Sequence, residues 1–93
     1  MPERQVTIVN RLGMHARASA KFVMAASLFK SDIWIGKVKG ESQVDGKSIM
    51  GIMMLAAAKG DQVWIRAEGE DAETALAELA ALIGTKFGEE GKT

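Results

Sequence analysis

The chain has 93 residues, the length of one small domain, and 47% hydrophobic against 26% charged residues supply a single modest core. Lys plus Arg and Asp plus Glu balance at 12 each, so net charge offers no attraction to nucleic acid or to an anionic membrane. Cysteine is absent, which removes disulfides, thiol chemistry and thiolate metal sites and suits a cytoplasmic protein.

Residues 1–10 are polar and strand-like rather than a signal peptide, and no apolar run reaches membrane-spanning length. Residues 5–9 alternate as a first strand with Val6 and Ile8 on one face, ending at Asn10. After the break at Gly13, an alanine-rich helix is expected from Ala16 to about Leu28. Ser19, Phe22, Val23, Ala26 and Phe29 form its core stripe, while Ala16, Ala20 and Met24 fall elsewhere. Ser31 and Asp32 close that unit. A second strand runs from Ile33 to about Lys39, Gly40 turns the chain, and a short third strand covers residues 42–44. Ser48 then stands where a helix cap belongs, ahead of a short helix over residues 49–55. A fourth strand over residues 63–67 sets Val63 and Ile65 opposite Trp64 and Arg66; Trp34 and Trp64, both out of the core phase, are expected to cover each other on an open sheet face. The last helix, residues 72–83, has acidic residues in its first turn and buries Ala75, Leu76, Leu79, Leu82 and Ile83, and a loose polar tail is expected over residues 84–93. Four one-faced strands and three one-striped helices, in the order strand, helix, strand, strand, helix, strand, helix, pair as a single two-layer α/β sandwich with one sheet face open.

The only histidine, His15, stands where the loop becomes the first helix. The amides of Ala16, Arg17 and Ala18 precede any intrahelical bond and concentrate the positive end of the helix dipole, so an anion fits there. Arg17 adds a permanently charged, forked donor. A lone histidine is ordinarily a cap or a surface residue, and a first-turn arginine is ordinarily solvated, though the dipole mildly disfavours it. Near neutral pH an ordinary imidazole is mostly uncharged and nucleophilic, and a P–N bond keeps a phosphoryl group transferable. Ser48 is first of all an N-cap, worth about 1 kcal/mol to its helix. Gly46-Lys47-Ser48 is not a nucleotide-binding P-loop, because the glycine that motif needs falls at Glu41 and Gly40 is one residue too early. Met24, Ile49, Met50, Met53 and Met54 could fill a core, yet the short helix carries more methionine than one stripe can bury, so some are expected at the surface.

Two stretches, Gly13-Met14-His15-Ala16-Arg17 and Asp45-Gly46-Lys47-Ser48-Ile49-Met50-Gly51, occur in an order and spacing that resemble HPr, the histidine-containing phosphocarrier family of the bacterial phosphoenolpyruvate-dependent phosphotransferase system. The resemblance extends over roughly residues 5–83. It implies an open-faced β-sandwich with a four-stranded antiparallel sheet and three helices. It also implies that His15 accepts phosphate from enzyme I with Arg17 as its partner, and that an enzyme IIA-type protein is the acceptor. Ser48 would be a regulatory phosphorylation site for an HPr serine kinase/phosphorylase. The protein would then be a carrier with a phosphohistidine intermediate rather than a free-standing catalyst, needing no metal or organic cofactor. Ala16, Ala20 and Met24 are expected to form one apolar docking patch with Ile49, Met50 and Met53. The family commonly has proline where this chain has Ala18, and the Ala18-Ser19-Ala20 run resembles members from nitrogen-related branches.

Two other classes compete. A non-carrying regulatory module of the same fold would bind partners through the methionine-rich face under control of Ser48, with His15 incidental; the presence of both His15 and Arg17 argues against it. A small-ligand sensor domain would need a cluster of polar residues between elements, and the sequence offers none.

Overall fold

The computed structural model describes residues 1–88. The elements follow the expected order: β1 (Glu3–Thr7), α1 (Ala16–Ala26), β2 (Asp32–Lys37), β3 (Gln43–Asp45), α2 (Ile49–Leu55), β4 (Gln62–Glu68) and α3 (Ala72–Gly84). The strands form one antiparallel sheet in the order β1-β4-β2-β3, with Val6 opposite Val63, Ile35 opposite both Ile65 and Val44, and Trp34 opposite Arg66. The helices cover one face. Ile8, Ile33, Ile35, Val63 and Ile65 meet Phe22, Ile52, Leu76, Leu79 and Ile83 there, all essentially without solvent contact.

The other sheet face is open. Trp64 lies across Gly36, where it leaves no room for a Cβ, and the Arg66 guanidinium sits 4.1 Å from the centre of the Trp64 ring. Trp64 is thus covered by a glycine and an arginine, and Trp34, on the neighbouring strand, stands opposite that same arginine.

Several expectations need adjusting. α1 ends at Ala26 rather than Leu28, and its buried residues are Ala18, Ser19, Phe22 and Ala26, with Val23 and Phe29 only half-buried. The stripe is rotated toward Ala18, a residue too small to announce itself by hydrophobicity. β2 ends at Lys37, two residues early: the Val38 amide adds one more bond along the β4 register, to the Gln62 carbonyl at 2.9 Å, and the Lys37 carbonyl is then taken by the Gly40 amide at 3.0 Å in a turn.

The tail expected to be loose is held as far as Gly88, and residues 89–93 lie outside the described residues. Lys86 and Phe87 adopt left-handed φ of +60° and +56°, strain on the order of 1 kcal/mol each. Two contacts offset it: the Phe87 ring is buried, worth roughly 2 kcal/mol, and Lys21 Nζ donates to the Phe87 carbonyl at 2.7 Å. No helix among the described residues is long and apolar enough to cross a membrane.

Candidate functional site

The loop between β1 and α1 is fastened along its length before it presents His15. Asn10 is buried and its side-chain amide donates to the Gly13 carbonyl at 2.8 Å, while the Gly13 amide returns to the Asn10 carbonyl at 3.2 Å. Gly13 has φ +66°, and a Cβ there would lie 2.6 Å from the Ala57 carbonyl oxygen, so only glycine fits this close approach. Met14 is buried, its amide donates to that same Ala57 carbonyl at 2.9 Å, and its own carbonyl accepts from Ser19 Oγ at 3.1 Å. A nearly complete set of bonds thus ties the residues on both sides of His15 to the exit of α2 and to the first turn of α1.

His15 is the N-cap residue of α1, half-buried and in extended backbone, and its carbonyl accepts the first helical bond from the Ser19 amide at 2.8 Å. Its side chain does not cap the helix, and the first turn contains no acidic residue. The positive pole made by the Ala16, Arg17 and Ala18 amides is therefore not neutralised from within the turn. Arg17 is exposed in that turn, and Ala18, at the position where proline is common in the resembling family, is buried. An anion on the His15 ring would be within the field of a helix N-terminus and a guanidinium together.

Ser48 is an N-cap as expected: its backbone is extended and its Oγ accepts from the Gly51 amide at 3.0 Å. The turn before it is rigid, with the Gly46 amide bonded to the Ile33 carbonyl at 2.7 Å, the Lys47 amide bonded to Asp45 Oδ1 at 2.9 Å, and Lys47 Nζ donating to the Phe29 carbonyl at 2.9 Å. Ser48 opens α2 whereas the His15 loop is fastened just past its end. Seven helical residues, about 10 Å of axis, separate the two attachment points.

α1 and α2 pack against each other. Of the residues expected in a docking patch, Ala16, Met24, Ile49, Met50 and Met53 are exposed and Ala20 is half-buried; Met54 and Leu12, not included in that expectation, are also exposed. Ala57 was missed altogether. It carries no chemistry, and nothing in a run of alanines says which carbonyl will anchor a loop more than forty residues earlier. Ala56, just before it, takes left-handed φ of +55° at the end of α2, a position usually given to glycine. Among the described residues no group of His, Cys, Asp and Glu could hold a metal ion.

A family profile described as "PTS HPr component phosphorylation site" matches residues 2–85. The phosphocarrier protein HPr of Neisseria meningitidis serogroup A is 49% identical over 89 residues, which cover 96% of this chain and 98% of that protein. The phosphocarrier protein NPr of Shewanella violacea is 42% identical, covering 94% of this chain and 93% of its own. Among solved structures, HPr-C-His from Thermoanaerobacter tengcongensis superposes with a TM-score of 0.90 at 48% identity, over 97% of this chain and 99% of that one.

Proposed function

The chain belongs to the HPr family of phosphocarrier proteins, and from that premise we propose that His15 accepts a phosphoryl group from phosphorylated enzyme I and delivers it to enzyme IIA-type acceptors in the cytoplasm. The observation that carries this reading is the placement of a half-buried His15 as N-cap of a helix whose first turn has Arg17 and no carboxylate.

An imidazole nitrogen attacks phosphorus in line as the donor's bond to phosphorus breaks, so one phosphoryl link replaces another without free phosphate. Charge builds on the equatorial oxygens during that displacement. The amides of Ala16, Arg17 and Ala18 stabilise it from fixed positions, so little of the backbone has to reorganise, and the exposed Arg17 guanidinium adds its charge from the same turn. The hydrogen bonds from Asn10, Met14 and Ser19 supply the fixing.

Partner enzymes dock on the apolar surface made by Ala16, Ala20 and Met24 of α1 with Ile49, Met50 and Met53 of α2. Closing that surface over His15 excludes water and protects the P–N bond from hydrolysis. Phosphorylation of Ser48 by a serine kinase would place nearly two negative charges at the entrance of α2 and make the same surface repellent to an acidic or apolar partner.

Incubation with enzyme I and labelled phosphoenolpyruvate tests the reading. One label per chain is expected, labile in acid and stable in base, and His15→Ala abolishes it. Label that persists on the His15→Ala protein under the same conditions would falsify the assignment.

A further inference from the structure

Met24, Met50 and Met54 are 70%, 68% and 77% exposed, whereas Met14 beside His15 is 4% exposed. Met50, Met53 and Met54 stand at i, i+3 and i+4 of α2 and so share one side of that helix, and Met24 lies on α1, against which α2 packs. None of the exposed thioethers supports the core: α2 points Ile52 and Leu55 inward, and α1 points Ala18, Ser19, Phe22 and Ala26. Chemistry at those sulfurs can alter the outer surface and leave the packing alone. The chain has no cysteine, so no thiol competes for a mild oxidant.

We propose that Met24, Met50 and Met54 form a reversible oxidation site, at which a peroxide withdraws the protein from phosphoryl transfer without unfolding it. The inference rests on the docking surface proposed above, to which Met24 and Met50 belong and which Met54 borders beside Met53. A lone pair on each thioether sulfur attacks one peroxide oxygen. The S–O bond forms as the O–O bond breaks, the sulfur loses two electrons, and the second oxygen leaves as hydroxide that takes a proton to become water. A dithiol-dependent methionine sulfoxide reductase reverses the change, removing the oxygen as water while its own two thiols become a disulfide.

The sulfoxide is a strong dipole on a side chain that was apolar. Docking must then strip water from polar groups for which a partner shaped to fit methionine has no donor. Burial shields Met14, so the bonds that hold the His15 loop are outside the oxidant's reach. Oxidation therefore acts on recognition and spares the phosphoryl-accepting group.

The full chain is treated with millimolar hydrogen peroxide, the peroxide is removed, and the protein is compared with its untreated form. Peptide mass spectrometry is expected to place sulfoxides on Met24, Met50 and Met54 but not on Met14, with circular dichroism and melting temperature unchanged. Labelling of His15 by enzyme I falls about tenfold or more, while labelling by phosphoramidate, a donor too small to need docking, keeps its untreated rate. Methionine sulfoxide reductases of both epimer specificities restore the enzyme I rate. A protein carrying Met24→Leu, Met50→Leu, Met53→Leu and Met54→Leu together, judged only against its own untreated rate, is unaffected by peroxide. Unchanged enzyme I labelling of sulfoxide-bearing wild type overturns the proposal, as does equal loss in the leucine variant or an equal fall with phosphoramidate. Failure of the untreated protein to take label from enzyme I would instead overturn the carrier reading, and this inference with it.

Discussion

At Gly13 a single methyl group decides whether the His15 loop can reach its anchor. An added Cβ would sit 2.6 Å from the Ala57 carbonyl oxygen and 2.9 Å from Ala58 Cα, and the backbone is left-handed as well. Gly13→Ala is expected to destabilise the protein by roughly 2 kcal/mol or more in denaturant titration, through the strained φ and the loss of the Met14 amide bond, and to slow His15 labelling as well. A wild-type midpoint would mean that the loop holds its shape without Ala57. Arg17 makes the opposite case. It is exposed and no core contact depends on it, so Arg17→Ala should melt within about 2 °C of wild type yet accept phosphate about tenfold to a hundredfold more slowly. Stopped-flow phosphorylation at matched protein concentration checks this, and a wild-type rate would reduce the guanidinium to a surface charge. The place of His15 at the entrance of α1, with Arg17 in its first turn, could be read from the sequence because the break at Gly13 precedes an alanine-rich run, whereas the roles proposed for them come from the family resemblance. Ala57 could not be, since its role is played by a backbone carbonyl that every residue possesses.

At the scale of elements, α2 is short, and its entrance carries a cap that can also carry a charge. Aspartate is as good an N-cap as serine, so Ser48→Asp should keep the bond to the Gly51 amide and a native circular dichroism spectrum and melting temperature. It should nevertheless slow phosphorylation of His15 by enzyme I, because one negative charge then borders the docking surface. Equal rates for a well-folded Ser48→Asp and wild type would leave Ser48 as a cap alone. Alternation in β2 and β4 and the stripe of α3 were plain in the sequence, because Ile33, Ile35, Val63, Ile65, Leu76 and Leu79 are large and apolar and recur at the period of their element. The failures fall where that signal is silent. Ala18 is buried, but a methyl group contributes little to any periodicity. Phe87 is buried from a polar segment because α1 and α3 leave it a place, which is a property of the assembled layers and not of its neighbours in sequence.

The whole molecule is closed by contacts between distant parts of the chain, and one of them responds to pH. Asp71, at the head of α3, accepts from the Ser31 hydroxyl and from the Lys30 and Ser31 amides, tying the α1–β2 turn to the last helix. The Ser31 hydroxyl bond, followed by those amides, holds the carboxyl below its ordinary value of 3.8. A carboxyl group lowered in the folded state stabilises it above the unfolded value, and that contribution disappears as pH falls through the folded one. Wild type should therefore lose stability from about pH 4 downward, while Asp71→Asn, less stable at neutral pH, should show a smaller fall over the same window in thermal melts. The strand order has a consequence of another kind. β1 pairs with β4, some sixty residues later, and the His15 loop rests on Ala57, between α2 and β4. Such pairings must close a long stretch of chain before they gain anything, so they form late in folding. On a ribosome, residues 10–18 emerge before α2 and β4 and wait without a template while these are made, so the loop that presents His15 is synthesised ahead of the parts that give it its shape.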